Sequence, residues 1–277
     1  MGSGLCWGVA DFFGGLQSRR LAALRVAVWS QLMGGLAIAL VLLASGSPPS
    51  PPEGIVWGVA AGVFGGIGLL LFYRGLAAGV MSIVAPIAAC GAIIPIAVSY
   101  VVGQAPSGVA LAGIVVALVG IVLVSVPSSG STSHPSGEPR LVVTLALGAA
   151  VAFGCFFVAL ERGAAASGGQ SLWVIGAARV GSLAALLSAA VVGREAVRWP
   201  GRRIVPVALV GVLDTTANAL FALASLGGAL GVVSVLGSLY PVATVVLARV
   251  VLAEHLARPQ VAGVALALAG VALMSAG

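Results

Sequence analysis

Between short breaks rich in Arg, Pro or polar residues, the chain runs apolar for long stretches. It shows neither the strict alternation of a half-buried strand nor the polar stripe of a surface helix. The runs cover 2–18, 25–45, 54–74, 79–102, 108–126, 141–160, 171–192, 204–226, 229–252 and 259–276. Each is close to the roughly 20 residues that cross a bilayer core. Lipid offers the backbone no hydrogen bonds, so only helices and closed barrels span it, and unbroken apolar runs exclude the alternating barrel pattern. The pattern predicts an all-α integral membrane protein with ten transmembrane helices.

The pattern is also written twice. LAGIVVALVGIVLVS at 111–125 returns as VAGVALALAGVALMS at 261–275. At that spacing Leu76 falls on Leu226, Val101 on Val251, Gln104 on Glu254, Gly113 on Gly263 and Gly120 on Gly270. The Pro/Ser/Gly stretch PSSGSTSHPSGEPR at 127–140 has linker composition and separates five runs from five. Five is odd, so the second set enters the membrane from the opposite side. The expectation is two inverted five-helix repeats, 1–126 and 141–277, enclosing a midplane cavity that each half closes in turn. On that reading the duplicated segment supplies one gate facing in and a twin facing out.

Composition fits a chain in lipid: 60% of residues are hydrophobic and 7% charged, against about a quarter charged in soluble domains. The forty glycines suit helices that approach through small residues. All thirteen basic residues are Arg and sit mostly at run ends, which argues against nucleic-acid binding and for orientation in the membrane. If the breaks after the odd-numbered runs share a face, that face carries eleven of them, and the bias expects both termini outside the cytoplasm. Cys6, Cys90 and Cys155 have no paired spacing and read as small hydrophobes. The start MGSGLC has no basic segment ahead of it, so the first run is expected to stay as a membrane helix. His134 lies alone in the linker and reads as a solvated loop residue. GxSxG, HExxH and the phosphate loop GxxxxGK[ST] are all missing, and a chain without Lys cannot supply the phosphate-loop lysine. No enzyme, no cofactor and no metal site is expected, and any transport is secondary rather than nucleotide-driven.

Trp7-Gly8 in the first run and the ending SLYPVATVVLARVVLAEHLARPQVAGVALALAGVALM at 238–274 resemble the ten-helix EamA-type branch of the drug/metabolite transporter superfamily. Ala253 stands where that pattern usually has Gly. The resemblance implies export or uptake of small metabolites such as amino acids, sugars or cationic drugs, driven by a gradient or by exchange. It also implies a path lined mainly by spans 1, 3, 4, 6, 8 and 9, with both termini in the cytoplasm, opposite to the Arg count.

A charge at the middle of a membrane helix costs at least ~2.5–3.5 kcal/mol on insertion scales, so it needs a partner, water or a function. Asp214 lies near the centre of span 8, with Asn218 one turn on and on the same face. The pair reads either as a site for a substrate amine or proton, or as an interhelical hydrogen-bond pair with Arg179 of span 7 as counter-ion. Arg179 alone reads as structural. Asp11, amid WGVADFFGG, is a candidate for proton coupling; the alternative is a displaced span that leaves it hydrated and capped by Arg19 or Arg20. Tyr73 and Tyr240 are candidates to shape the cavity, and Arg74 to snorkel. Gln31 reads as a packing hydrogen bond, and Trp7 as a belt aromatic that could instead line the cavity. Pro86 and Pro95 in span 4 and Pro241 in span 9 are candidates for gating. Arg249, Glu254 and Arg258 read as a structural charge cluster at the end of span 9, and Glu161-Arg162 likewise. The sum is a multi-pass protein of a bacterial plasma membrane, monomer or homodimer, exporting a small organic metabolite by alternating access. The alternative is a non-transporting scaffold or assembly partner on the same fold.

Overall fold

The computed structural model describes residues 1–78, 81–124, 138–228, 230–251 and 258–276. Residues 127–137 of the linker, Glu254 and the side chain of Arg249 lie outside the described residues, and with them the charge cluster expected at the end of span 9. Among the described residues there is no strand. The helices are α1 (Gly2–Ser18), α2 (Ala23–Ser45), α3 (Pro52–Ala78), α4 (Met81–Ala89), α5 (Ile93–Val101), α6 (Gly108–Val124), α7 (Pro139–Ala165), α8 (Ser171–Gly193), α9 (Ile204–Gly227), α10 (Leu230–Gly237), α11 (Tyr240–Val251) and α12 (Arg258–Ala276). Six helical segments, 23–45, 52–78, 84–101, 140–165, 171–193 and 201–227, are long and apolar enough to cross a membrane, and 108–123, 230–244 and 258–274 are shorter apolar helices. Outward side chains are as apolar as inward ones: Leu43 is 80% exposed, Val101 86% and Val192 86%, which only lipid makes inexpensive.

Chain punctuation is local chemistry. Gly46 takes φ +59° after α2, a left-handed cap that only Gly adopts without penalty, and Pro48 and Pro49 prevent the helix from resuming. Spans 4 and 9, where Pro86, Pro95 and Pro241 were the candidates for gating, are each broken. A proline lacks its N–H and its ring presses on the carbonyl four residues back. Four residues before Pro95 stands Gly91, inside a 3-10 turn at Cys90–Ala92; four residues before Pro241 stands Gly237, the last residue of α10. GAIIP and GSLYP are thus the same device, used once in each half. Pro86 lies inside α4 without ending it.

Helix α3 packs on α7 and α8, and α9 on α1 and α2; α1 meets α11 as α7 meets α4; α2 meets α8, α5 meets α10 and α6 meets α12. Exchanging the first five spans for the last five returns the same set of partners. Small residues permit the approach. Gly58, Gly62 and Gly66, one turn apart on α3, face Val174, Ala178 and Ser182, one turn apart on α8. A Cβ on Gly58 would lie 2.6 Å from the Val174 carbonyl oxygen, and one on Gly62 would fall on the Ala178 backbone. The duplicated segments use the same means, and they use it on each other: a Cβ on Gly113 would lie 2.7 Å from the Gly270 oxygen, and one on Gly120 2.8 Å from the Gly263 oxygen. Neither α6 nor α12 is among the lining of the cavity described below; the repeated segments pack on each other.

Polar contacts fix which ends lie together. Arg203 Nη1 donates to Gln17 Oε1 at 3.4 Å. Arg74, expected to snorkel, pairs with Glu195. These contacts put the ends of α1, α3 and α8 and the start of α9 on one face. Trp173 Nε1 donates to the Ser47 carbonyl at 3.2 Å where α2 ends and α8 begins.

Gly62→Leu is expected to force α3 from α8 and to lower stability by about 1–3 kcal/mol or more. Gly227→Ala, with nothing within 4 Å of the added Cβ, should change it by less than about 0.5 kcal/mol. Melting temperatures in detergent compare the two.

Candidate functional site

Arg179 sits one residue past the Gly62–Ala178 crossing, so the close approach of α3 carries its guanidinium into the bundle, where it is 3% exposed. Its Nη1 donates to Asp214 Oδ2 on α9 at 2.5 Å and to Gln31 Oε1 on α2 at 2.5 Å. Gln31 turns its amide nitrogen to the same carboxylate oxygen at 3.0 Å, and Ser182 Oγ, one turn along α8, donates to Gln31 Oε1 at 2.8 Å. Trp7 Nε1 on α1 donates to Asp214 Oδ1 and to Asn218 Oδ1, both at 3.1 Å. One charged pair and four neutral groups therefore join α1, α2, α8 and α9. Asp214 and Asn218 do share a face, since a single indole N–H reaches both.

The cluster forms part of the wall of a cavity of about 630 Å³, its open mouth included. The other walls are apolar, with Leu69 from α3, Ala88 from α4 and Phe153, Phe156 and Phe157 from α7. Trp7 stands edge-on to Phe156 and Phe157 with ring centroids 6.1 and 5.5 Å apart, and Phe157 stacks on Phe221 at 5.0 Å. Such contacts fix the rings as a rigid wall.

The structure brings Asp11, Asp214, Asn218, Arg179 and Tyr240 to this one cavity. Asp11 is buried, with no hydrogen-bond or ion-pair partner among the described residues; the capping by Arg19 or Arg20 considered from sequence is not formed. Tyr240 donates its hydroxyl to the Ala85 carbonyl at 3.2 Å, tying α11 to α4 beside both helix breaks. Tyr73 lies outside the lining: it is 1% exposed, and its hydroxyl occupies the space where a side chain on Gly14 would be. Of the prolines, none is among the lining residues; Pro241 follows Tyr240 directly, and Pro86 and Pro95 flank Ala88 and the turn after it. Sequence reasoning placed the path on spans 1, 3, 4, 6, 8 and 9. The structure adds spans 2 and 7, which bring Gln31, Arg179 and Ser182. The spacing Arg179, Ser182 on one helix face was the available signal. Among the described residues no three His, Cys, Asp or Glu side chains gather into a set that could hold a metal.

The model of the EamA-like transporter family matches residues 1–126 and 136–276. A solved crystal structure, 16% identical in sequence, superposes with a TM-score of 0.73 over 98% of this chain and 95% of its own, and so shares the fold. A search of the curated proteins found no match.

Removing one partner of a buried ion pair strands the other, at about 3–5 kcal/mol, whereas replacing both by apolar groups is often neutral. Asp214→Ala is therefore expected to lower the melting temperature sharply, and the double variant Arg179→Met with Asp214→Leu to recover most of the loss.

Proposed function

Because the chain belongs to the EamA-like transporter family of the drug/metabolite transporter superfamily, a multi-pass membrane family, we propose that it carries a small organic metabolite such as an amino acid or a related compound across the plasma membrane. It works as a secondary transporter, in the export direction, by alternating access. Ten spans form two inverted five-helix repeats, 1–126 and 141–277, and the set of helix partners that survives exchange of the halves supports that division. The observation that carries the reading is the cavity itself. Its walls come from both halves, it is apolar on one side, and it holds a compact polar cluster on the other. A scaffold on this fold has no use for such a cavity and would fill it with leucine.

Alternation needs elements that bend while their neighbours stay rigid. The breaks at Gly91–Pro95 and Gly237–Pro241 are two such points, one per half, and each lies against the first helix of a half: Gly237 beside Trp7 of α1, Gly91 against Ala150 and Gly154 of α7. Pro86, Pro95 and Pro241 are the gating residues on this account. Asp11 is the proton-coupling residue. It is a carboxyl in the cavity wall with no hydrogen-bond or ion-pair partner among the described residues, and the titratable group that acts on it is Asp214 from α9, while Asp11 in turn acts on Tyr73 from α3 and Tyr240 from α11. Arg179 is already committed to Asp214 and Gln31.

Counterflow in proteoliposomes tests the reading. Unlabelled metabolite inside should drive saturable uptake of the labelled form, with a rate that depends on pH. Asp11→Asn should abolish the pH dependence and leave the melting temperature within a few degrees of the parent. Counterflow of the Asn variant with the parent's pH profile would remove Asp11 from the coupling role.

A further inference from the structure

Away from the cavity, the two halves build one corner twice and place arginine at only one copy. Span 2 and span 7 are counterparts, and each uses a tryptophan to hold the connection that leaves the other. Trp29 Nε1 on α2 donates to the Arg198 carbonyl at 3.0 Å, and Trp173 Nε1 on α8 donates to the Ser47 carbonyl at 3.2 Å. Each helix also ends on a left-handed residue, Gly46 after α2 with φ +59° and Arg194 after α8 with φ +51°. One corner, residues 46–55 with 166–172, has no arginine and one acidic residue, Glu53. The other, 19–25 with 194–203, has Arg19, Arg20, Arg25, Arg194, Arg198, Arg202 and Arg203, seven of the thirteen in the chain. The first corner makes the same contact and the same turn without them, so the local fold does not call for this charge. At Arg194 the charge even replaces the glycine that a left-handed cap prefers.

The arginines are gathered and unanswered. Arg203 Nη1 reaches Gln17 Oε1 at 3.4 Å, and Trp29 stands edge-on to Trp199 with ring centroids 4.7 Å apart, which sets the two connections side by side. Arg25 stands one turn ahead of Trp29 on the same face of α2. Glu195, the acidic residue of this corner, is taken by Arg74. Among the described residues, the side chains of Arg19, Arg20, Arg25, Arg194, Arg198 and Arg202 have no hydrogen bond or ion pair, and the Nε of Arg25 is buried as well. The surface flanking them is apolar: Val191 and Val192 at the end of α8 are 78% and 86% exposed, and Val205 at the start of α9 73%. Trp199 is 58% exposed between Arg198 and Arg202, the place of an interfacial aromatic.

We propose that this corner binds an anionic phospholipid, with its phosphate among the arginines of the two connections and its acyl chains along Val191, Val192 and Val205. Arginine matches phosphate in geometry as well as charge, and basic clusters at the ends of membrane helices attract anionic headgroups. Free phosphate would use the arginines and leave the valines and Trp199 idle; a phospholipid uses both. The lipid would join a connection of the first half to one of the second. The inference does not depend on the transport reading.

The test uses the purified full chain in a neutral detergent, with the melting temperature followed as phosphatidylglycerol, phosphatidylcholine of the same acyl chains, or inorganic phosphate is added. Phosphatidylglycerol should raise it by several degrees, while phosphatidylcholine and inorganic phosphate leave it unchanged. The double variants Arg19→Gln with Arg20→Gln, and Arg198→Gln with Arg202→Gln, should each weaken that response, and all four changes together should remove it. Arg162→Gln, on the opposite face, should respond as the parent does. The double variants keep the test decisive if the fourfold one does not fold. An equal response to phosphatidylcholine, or an unchanged response in the double variants, overturns the proposal. So does an equal response to inorganic phosphate, which would make the corner a site for a soluble anion.

Discussion

A guanidinium inside a lipid-spanning bundle must be neutralised where it stands, and the way this is done for Arg179 determines how four helices meet. Its partners come from α2 and α9, and Trp7 of α1 closes the far side of the shared carboxylate. Insertion scales put the cost of an unpaired central charge near 2.5–3.5 kcal/mol. Asp214 alone could offset it, but Gln31, Ser182 and Trp7 remove most of the remaining freedom. The pair is held in one geometry, and the helices that carry it are held with it.

That geometry is reachable only because the backbones come close. Gly62 against Ala178 brings α3 onto α8 just below Arg179, and Gly34 with Gly211 does the same where α2 crosses α9 just below Asp214. The first crossing lies one residue from Arg179 and the second one turn from Asp214. The polar cluster thus lies where the halves interleave, while α6 and α12, seamed by Gly113, Gly120, Gly263 and Gly270, stand apart from the cavity. The bundle thus combines close crossings at its centre with proline breaks in spans 4 and 9.

Much of this was legible in the sequence. Run lengths marked the helix bounds to within a few residues. The spacing of Asp214 and Asn218 placed them on one face, and Arg179 as counter-ion was one of the two readings of that pair. What the sequence did not give was position across the bundle. Gln31 looked like any packing amide, since its partners are 148 and 183 residues away. Tyr73 looked like a lining residue and is instead packed against Gly14, because its place on α3 faces α1 rather than the cavity. The duplicated segments carry near-identical apolar faces with glycines in register, and they pack on each other through those glycines. Pro95 and Pro241 pointed to the breaks in spans 4 and 9; run length alone did not place them, because GAIIP and GSLYP are as apolar as their surroundings.

The most direct measurement of the central claim, that two halves rock about this cluster, is the distance across each mouth by spin-label spectroscopy. With Cys6, Cys90 and Cys155 replaced by Ser, one pair of labels at Ala22 and Ala196 reports the face that carries Arg74 and Glu195, and a second at Pro48 and Ala165 reports the opposite face; all four positions are exposed. The account predicts that changing pH or adding the transported solute shortens one distance as it lengthens the other. Two distances that stay fixed, or that change together, while counterflow continues would contradict it.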